Sequence, residues 1–153
     1  MTKYTATISW SRNQDSFSDN KYSRVHTWAF DGGAVVKASS SPHVVPVPYS
    51  SAEAIDPEEA FVASLSSCHM LWFLHLAAKG GFVVEQYEDS AEGVMARNES
   101  GKLAMTEVSL HPKVKFAGDS QPNRSGIEQL HHAAHEECFI ANSVKSKVQV
   151  VIE

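Results

Sequence analysis

The longest apolar segment of the chain runs from Asp56 to Gly81, and its pattern predicts a helix. Asp56 and Glu59 have the three-residue spacing of a capping box, and Pro57 suits the first helical position. Two consecutive glycines at the far end suit the left-handed conformation that terminates helices. Residues 60–78 carry no charge, so this helix is apolar on nearly all sides and is expected to be buried.

Strand patterns precede this helix. Residues 4–10 alternate between apolar and polar side chains, which predicts a strand with one buried face. Residues 22–30 predict a second strand, and the Asp-Gly-Gly turn at 31–33 connects it to a third at 34–39. Residues 39–54 are rich in proline and serine and predict a loop that leads to the helix.

Two more strand patterns follow the helix. Residues 82–97 predict one strand with an irregularity near Gly93. Residues 103–116 predict another, with a bulge or an edge position near Pro112. The intervening residues, 98–102, are rich in Asn, Ser and Gly, which predicts a turn between the two strands.

A second, shorter helix is predicted near the C-terminus. Ser125 and Glu128 have capping-box spacing, and residues 147–152 then alternate as a final strand. The apolar stripe of the second helix consists of Ile127, Leu130, Ala134 and Cys138. This order of elements predicts an α+β fold with largely antiparallel sheet. No linker or internal repeat divides the chain, so residues 1–153 are predicted to form a single domain.

Composition narrows the classes of function. The 153 residues carry a formal net charge of -5, which argues against nucleic acid or an anionic membrane surface as a partner. The first ten residues contain no apolar secretory segment, so a cytoplasmic location is expected. Residues 60–78 approach the length of a membrane span, but they include three serines and two histidines, and no membrane span is predicted.

The chain has two cysteines, Cys68 and Cys138, which are too few for a secreted disulfide framework. Cys68 near the middle of the long helix is either a small buried apolar residue or a nucleophile. A reactive thiol needs a lowered pKa, and a lowering of two units requires roughly 2.7 kcal/mol of anion stabilisation. A helix dipole contributes little at a mid-helix position, so a cation from elsewhere is required, and arginine suits a partly buried place.

Two segments of the chain, DPEEAFVASLSSCHM and AHEECFIANS, resemble the paired cysteine motifs of the OsmC/Ohr family. The family comprises osmotically inducible protein C and the organic hydroperoxide resistance proteins, and the resemblance is closer to the OsmC branch. It implies an OsmC-like fold, in which antiparallel sheets pack around a long buried central helix and a second shorter helix, in an intertwined homodimer. It also implies a thiol-dependent peroxidase that reduces organic hydroperoxides to alcohols in defence against oxidative stress.

The resemblance also implies roles for single residues. Cys68 matches the peroxidatic cysteine, which forms a sulfenic acid, and Cys138 matches the resolving cysteine, which condenses with it to a disulfide. Glu58 matches a glutamate that orients an arginine beside the thiolate, and Arg24, in the predicted second strand, is the arginine chosen. Family members are regenerated by small or protein-bound dithiols. The sequence contains no nucleotide or flavin motif, so no cofactor is predicted.

Helical geometry bears on the place of Glu58. Ten residues separate Glu58 from Cys68, which is about 15 Å of rise along a straight helix. Either the helix bends, or Glu58 of one subunit serves Cys68 of another. The homodimers of the resembled family favour the second arrangement, so a dimer is predicted.

The neighbours of Cys68 on its helix suggest a substrate class. The positions three and four residues away are Ser64, Leu65, Leu71 and Trp72. A hydroxyl beside bulky apolar groups suits an alkyl hydroperoxide better than hydrogen peroxide. These four residues are therefore the predicted substrate-binding set, although core packing explains the leucines and the tryptophan equally well.

Two alternatives remain open. Five residues could supply a zinc site, namely His69, His75, His131, His135 and Cys138. The chain has no Cys-x-x-Cys, so no metal is predicted and the histidine-rich second helix is expected to be solvated. A binding or regulatory protein that kept the fold without catalysis is the other alternative.

Overall fold

The computed structural model describes all residues from Met1 to Glu153, and it confirms the predicted α+β class. Chain order is β1 (Ala6–Ser9), β2 (His26–Phe30), β3 (Val35–Ala38), α1 (Pro57–Lys79), β4 (Val83–Asp89), β5 (Glu92–Arg97), β6 (Leu103–Leu110), β7 (Pro112–Ala117), α2 (Arg124–Glu137), a short 3-10 turn (Ala141–Ser143) and β8 (Lys147–Val150). The strands form three separate sheets.

The chain divides into two compact units, Met1–Ala60 and Phe61–Glu153, with the boundary in the first turn of α1. The first unit contains one sheet, and the second contains two sheets, α2 and most of α1. That the whole chain, 1–153, forms a single OsmC-like domain stays a prediction.

The sheet of the first unit is antiparallel in the order β1-β2-β3. Its β2–β3 hairpin confirms the Asp-Gly-Gly turn, in which Gly33 has a φ of 90°, a conformation that favours glycine. Two expectations for this unit were wrong. All side chains of β1 are exposed, so the alternation there does not mark a buried face. Strand β2 begins at His26, and Arg24 lies in the loop before it.

The second unit contains an antiparallel pair, β4-β7, and a mixed sheet, β5-β6-β8, in which β8 runs parallel to β6. Both long strand predictions were wrong in extent, because residues 82–97 form β4 and β5, and residues 103–116 form β6 and β7. Asp89 at the end of β4 accepts a hydrogen bond from the backbone N–H of His111, between β6 and β7. This carboxylate therefore ties together the two points where the chain passes from one sheet to the other.

The start of α1 is the predicted capping box. The Asp56 carboxylate accepts the N–H of Glu59 at 2.8 Å, and the Glu59 carboxylate accepts the N–H of Asp56 at 3.2 Å. At the other end, Gly81 has a φ of 81°, and the N–H of Phe82 bonds to the carbonyl of Ala77. Both ends of the helix are thus set by local sequence.

Burial of α1 differs from the prediction. One stripe is fully buried, and it consists of Leu65, His69, Phe73 and Ala77. Leu71 on the opposite side is 60% exposed. The helix is therefore apolar all round but covered on one side only in the single chain. Its length and composition alone would also allow a membrane span, a property that core helices of soluble proteins share.

The cap of helix α2 lies two residues earlier than predicted. Asn123, and not Ser125, is the N-cap, and its side chain accepts the N–H of Gly126 at 2.8 Å. The face that packs on α1 includes Ala134, which joins Phe73 and Ala77 in one core cluster. This packing brings the C-terminal end of α2 to the middle of α1.

Candidate functional site

The two cysteines meet where α2 ends beside α1. Cys68 is half-buried on α1, and Cys138 is buried at the C-cap of α2. Both are free thiols, and Cys68 lies close enough to Cys138 to raise its pKa. The structure thus brings together two residues that are 70 positions apart in the sequence.

The Cys138 thiol is kept protonated at neutral pH. Burial raises its pKa to about 11, and the neighbouring Cys68 acts in the same direction. The N–H of Ala141 donates to Sγ of Cys138 at 3.4 Å, which partly offsets the rise. Cys138 therefore becomes a nucleophile only if its proton leaves as it reacts.

An aromatic group flanks the two cysteines on the outside. Trp72, four residues after Cys68, has its ring centroid 5.4 Å from that of Phe139 and 5.7 Å from that of His75, both edge to face. Phe139 directly follows Cys138 and is 66% exposed. Sequence reasoning missed Phe139, although its position beside a candidate cysteine was a usable signal.

The four residues predicted to bind substrate lie in different surroundings. The Ser64 hydroxyl donates to the carbonyl of Phe61 within its own helix, at 2.8 Å. Leu65 is fully buried in the core, whereas Leu71 faces outward and Trp72 is half-buried. Their role in substrate binding stays a prediction.

Arg24 and Glu58 lie in the first unit and form no ion pair with each other. The Arg24 guanidinium donates to the carbonyls of Asn20 and Tyr22 at 2.7 and 2.6 Å, and it stacks 3.6 Å above the Tyr22 ring. One carboxylate oxygen of Glu58 is buried without a hydrogen-bond partner in the chain. That the pair acts on Cys68 stays a prediction.

The second helix was expected to have solvated histidines, but one histidine of each helix is buried. His69 on α1 and His131 on α2 are both buried, and Nε2 of His69 lies 3.0 Å from Nδ1 of His131. Their rings are nearly parallel, with an interplanar angle of 4°. The His131 ring also stacks on Phe73, with 4.3 Å between centroids. His131 therefore contacts two side chains of α1 that lie one turn apart.

Both buried imidazoles are neutral at physiological pH. Burial lowers the pKa of His69 to about 4, helped by repulsion from His131 and His135 and opposed by attraction to Asp89. Burial alone lowers the pKa of His131 to about 4. Each neutral ring has one N–H and one bare nitrogen, so one imidazole donates and the other accepts.

Near this pair, two half-buried side chains of β4, Tyr87 and Asp89, add further polar groups. The Asp89 carboxylate accepts the Ser66 hydroxyl at 2.5 Å as well as the N–H of His111. The hydroxyl of Tyr87 is buried without a partner in the chain, and burial, with the charge of Asp89, raises its pKa above the usual range. The middle of α1 thus carries a polar interior next to the thiols.

The zinc alternative has no ligand set in the single chain. Nowhere between Met1 and Glu153 do three or more His, Cys, Asp or Glu side chains converge as a metal site would need. His69 and His131 bond to each other, and His75 is exposed.

Comparisons with known proteins place these motifs in a family. The family model described as OsmC-like protein matches residues 50–153. An OsmC-like protein of unknown function from Vibrio cholerae is 52% identical, with a TM-score of 0.98 and all of both chains covered. An organic hydroperoxide resistance protein from Elizabethkingia anophelis is 16% identical, with a TM-score of 0.71, and covers 99% of this chain and 94% of its own. The organic hydroperoxide resistance protein OhrB of Bacillus subtilis is 19% identical, with a TM-score of 0.64, at 99% and 97% coverage. No significant match occurs among curated proteins.

Proposed function

This chain belongs to the OsmC family, as its motifs indicate, and we propose on that premise that it is a thiol-dependent peroxidase for organic hydroperoxides. The observation that supports this most directly is the pair of free thiols, Cys68 and Cys138, within reach of each other. Two structural neighbours bear the name of organic hydroperoxide resistance proteins, which agrees with the proposal.

In the first step the Cys68 thiolate attacks the outer oxygen of the hydroperoxide. The O–O bond breaks, the sulfur becomes a sulfenic acid, and the alkoxide leaves as an alcohol after taking a proton. Cys68 suits this step because it is the half-buried member of the pair and can be reached from outside. The fully buried Cys138 cannot meet a substrate in the same way.

In the second step the sulfur of Cys138 attacks the sulfenic sulfur of Cys68. The S–O bond breaks, an S–S bond forms, and the thiol proton leaves with the hydroxyl group as water. Because burial keeps Cys138 protonated, direct transfer of its proton to the leaving oxygen avoids a free thiolate. A dithiol reductant then restores both thiols, and no cofactor takes part.

The aromatic group beside the thiols supports an organic substrate. Trp72 and the exposed Phe139 provide apolar surface next to Cys68 and Cys138, and Leu71 adds to it. Apolar surface stabilises an alkyl or aryl group by roughly 25 cal/mol per Å² covered, and hydrogen peroxide has no such group. We expect cumene hydroperoxide to react faster than hydrogen peroxide, and a preference for hydrogen peroxide would contradict this choice of substrate.

A homodimer is part of the proposal. The uncovered side of α1 has Leu71 at 60% exposure, and in the first unit Ile8 and Trp10 of the β1 region are exposed as well. Since α1 is uninterrupted, Glu58 lies about 15 Å of helical rise from Cys68. A second copy could cover these apolar surfaces and bring its own Glu58 and Arg24 to Cys68. We expect this dimer to act in the cytoplasm, without a nucleic acid or a membrane as partner.

Mass spectrometry after one equivalent of cumene hydroperoxide tests the proposal. We expect loss of two hydrogens and a peptide cross-linked between Cys68 and Cys138. Cys138→Ser should stop at the sulfenic acid, which dimedone captures, whereas Cys68→Ser should consume no hydroperoxide. Full peroxidase activity in Cys68→Ser would remove the basis of the proposal and favour the alternative of a binding or regulatory protein.

A further inference from the structure

The buried hydrogen bond between His69 and His131 has no part in the two steps described above, yet it lies beside both reacting residues. His69 directly follows Cys68 on α1. His131 precedes Cys138 by seven residues, close to two turns of α2, so the two lie on the same face of that helix. The bond is the one side-chain hydrogen bond that joins α1 to α2. It therefore connects the elements that carry the two thiols.

Stability alone is a poor explanation for this pair. The outer nitrogens, Nδ1 of His69 and Nε2 of His131, are buried and have no partner within the chain. A buried polar atom left without a partner costs about 1–3 kcal/mol, which exceeds the net gain from one neutral hydrogen bond. Two apolar side chains of similar volume would hold the helices together at lower cost. A hydrogen bond depends on direction and apolar packing does not. The bond therefore fixes the position along α1 at which α2 packs.

We infer that the His69–His131 pair is a positioning device for the resolving step, and this inference rests on the proposed function. Neither imidazole touches substrate, so both are positioning residues. The ring of His131 is held by the bond to His69 and by stacking on Phe73. With His131 held in this way, α2 keeps Cys138 within reach of Cys68. Attack on the hydroperoxide does not use Cys138, so it does not depend on the position of α2 or on the pair.

The two chemical steps should respond differently to loss of the His69–His131 bond. Without the bond, α2 can slide along α1 or rotate slightly. The attack of one sulfur on the other is sensitive to such a change in distance and angle. The sulfenic acid should therefore form at the normal rate and persist longer. A second hydroperoxide molecule can then oxidise the sulfenic acid to a sulfinic acid, with release of a second alcohol.

Position 131 accepts substitutions of a size similar to histidine, and these either keep or remove the hydrogen bond to His69. Asparagine places an amide nitrogen or oxygen near the position of Nδ1, so His131→Asn keeps a partner for Nε2 of His69. Leucine has a comparable volume and no polar atom, so His131→Leu removes the bond. Thermal unfolding first establishes that each full-length variant is folded. Should His131→Leu not fold, His131→Gln replaces it, because glutamine places its amide near Nε2 and away from His69.

Rapid-quench kinetics with cumene hydroperoxide, dimedone and mass spectrometry give the decisive comparison. We expect disulfide formation to slow about tenfold in His131→Leu, the effect of one hydrogen bond, with sulfenate formation within about twofold of the wild type. His131→Asn should recover most of the lost rate, and sulfinic acid should accumulate only in the variant without the bond. Equal slowing of both steps, or no slowing of either, would overturn the inference.

A second measurement does not depend on peroxidase activity. Equilibration of the full-length protein with glutathione redox buffers reports how readily the Cys68–Cys138 disulfide forms from the two thiols. The equilibrium constant for that disulfide should fall about tenfold in His131→Leu and much less in His131→Asn. If the wild type forms no sulfenate with hydroperoxide but the glutathione result holds, the proposed function fails and the positioning role stands. Equal constants for all three proteins would refute the positioning role itself.

Discussion

The two sides of α1 have nearly the same composition and very different surroundings. The buried side consists of Leu65, His69, Phe73 and Ala77, and the outer side includes Ser67, Leu71 and His75. Each side has a leucine and a histidine, so residue type does not decide which side enters the core. The difference comes from α2, β4 and β6, which pack on one side within the second unit. Matched substitutions on the two sides measure that difference directly.

The largest difference is expected between the two leucines. Leu65 is fully buried with Val108 and Leu110, whereas Leu71 is 60% exposed. Leu65→Ala should lower the free energy of unfolding by about 2–5 kcal/mol, because it removes buried methyl groups and leaves a cavity. Leu71→Ala should lower it by less than about 0.5 kcal/mol in the single chain. Urea titration at protein concentrations low enough to dissociate a dimer measures both, and equal losses would refute the assignment of the buried side.

The two histidines of α1 should differ in their effect on acid stability. Because the pKa of His69 in the folded state is about 4, below the ordinary 6.5, its contribution is fully present above pH 6.5. That contribution is lost as the pH falls from 6.5 through 4, by roughly 3 kcal/mol. Urea titrations across this range should show a smaller loss in His69→Gln than in the wild type. The exposed His75→Gln is the control and should follow the wild type, and a loss in His69→Gln as large as that of the wild type would contradict the assignment.

The adjacent serines provide a third pair. The Ser66 hydroxyl donates to the Asp89 carboxylate, and Ser67 is exposed with no such bond. Ser66→Ala should lower the free energy of unfolding by about 1.5–3 kcal/mol, the range for hydrogen bonds to charged groups. Ser67→Ala should leave it nearly unchanged or raise it slightly, since alanine favours helix. Thermal unfolding at neutral pH is sufficient to compare the two variants. If both unfold at the temperature of the wild type, the result would contradict the Asp89 contact.

A substitution on the outer side of α1 should have the smallest effect on the stability of one chain. It should have the largest effect on dimer formation. Leu71→Asp should change the unfolding free energy of the isolated chain by no more than about 0.5 kcal/mol. If a second copy covers this side, as proposed, the buried charge should dissociate the dimer. Light scattering after gel filtration measures the molecular mass in solution and so distinguishes dimer from monomer. Gln129→Asp, at an exposed position of α2, is the control, and an unchanged dimer in Leu71→Asp would place the interface elsewhere.

Features that depend on neighbouring residues were predictable. The capping box of Asp56 and Glu59 and the glycine at the end of α1 involve contacts within one helical turn. The second cap was misread, because Asn123 and Ser125 are both good caps and only the packed helix selects between them. Local chemistry thus predicts that an end exists more reliably than it predicts which residue forms it.

Features that depend on distant residues were not predictable. The break between β4 and β5 follows Asp89, whose carboxylate binds Ser66 and the backbone of His111, more than twenty residues away on either side. The pairing of His69 with His131 spans 62 positions. A histidine four residues from another on a helix is usually solvated, and nothing in the local pattern distinguishes the buried case.

The sequence by itself determined the α+β class, the ends of α1, the family and the two cysteines that are candidates for catalysis. It could do so because caps, periodicity and motif spacing are properties of short segments. Only the tertiary structure decided which side of α1 is buried, that Cys138 is the protonated and inaccessible thiol, and that His69 and His131 share a hydrogen bond. These features follow from the packing of α2 and of the strands on α1, which are long-range contacts whose geometry no segment of the chain encodes alone.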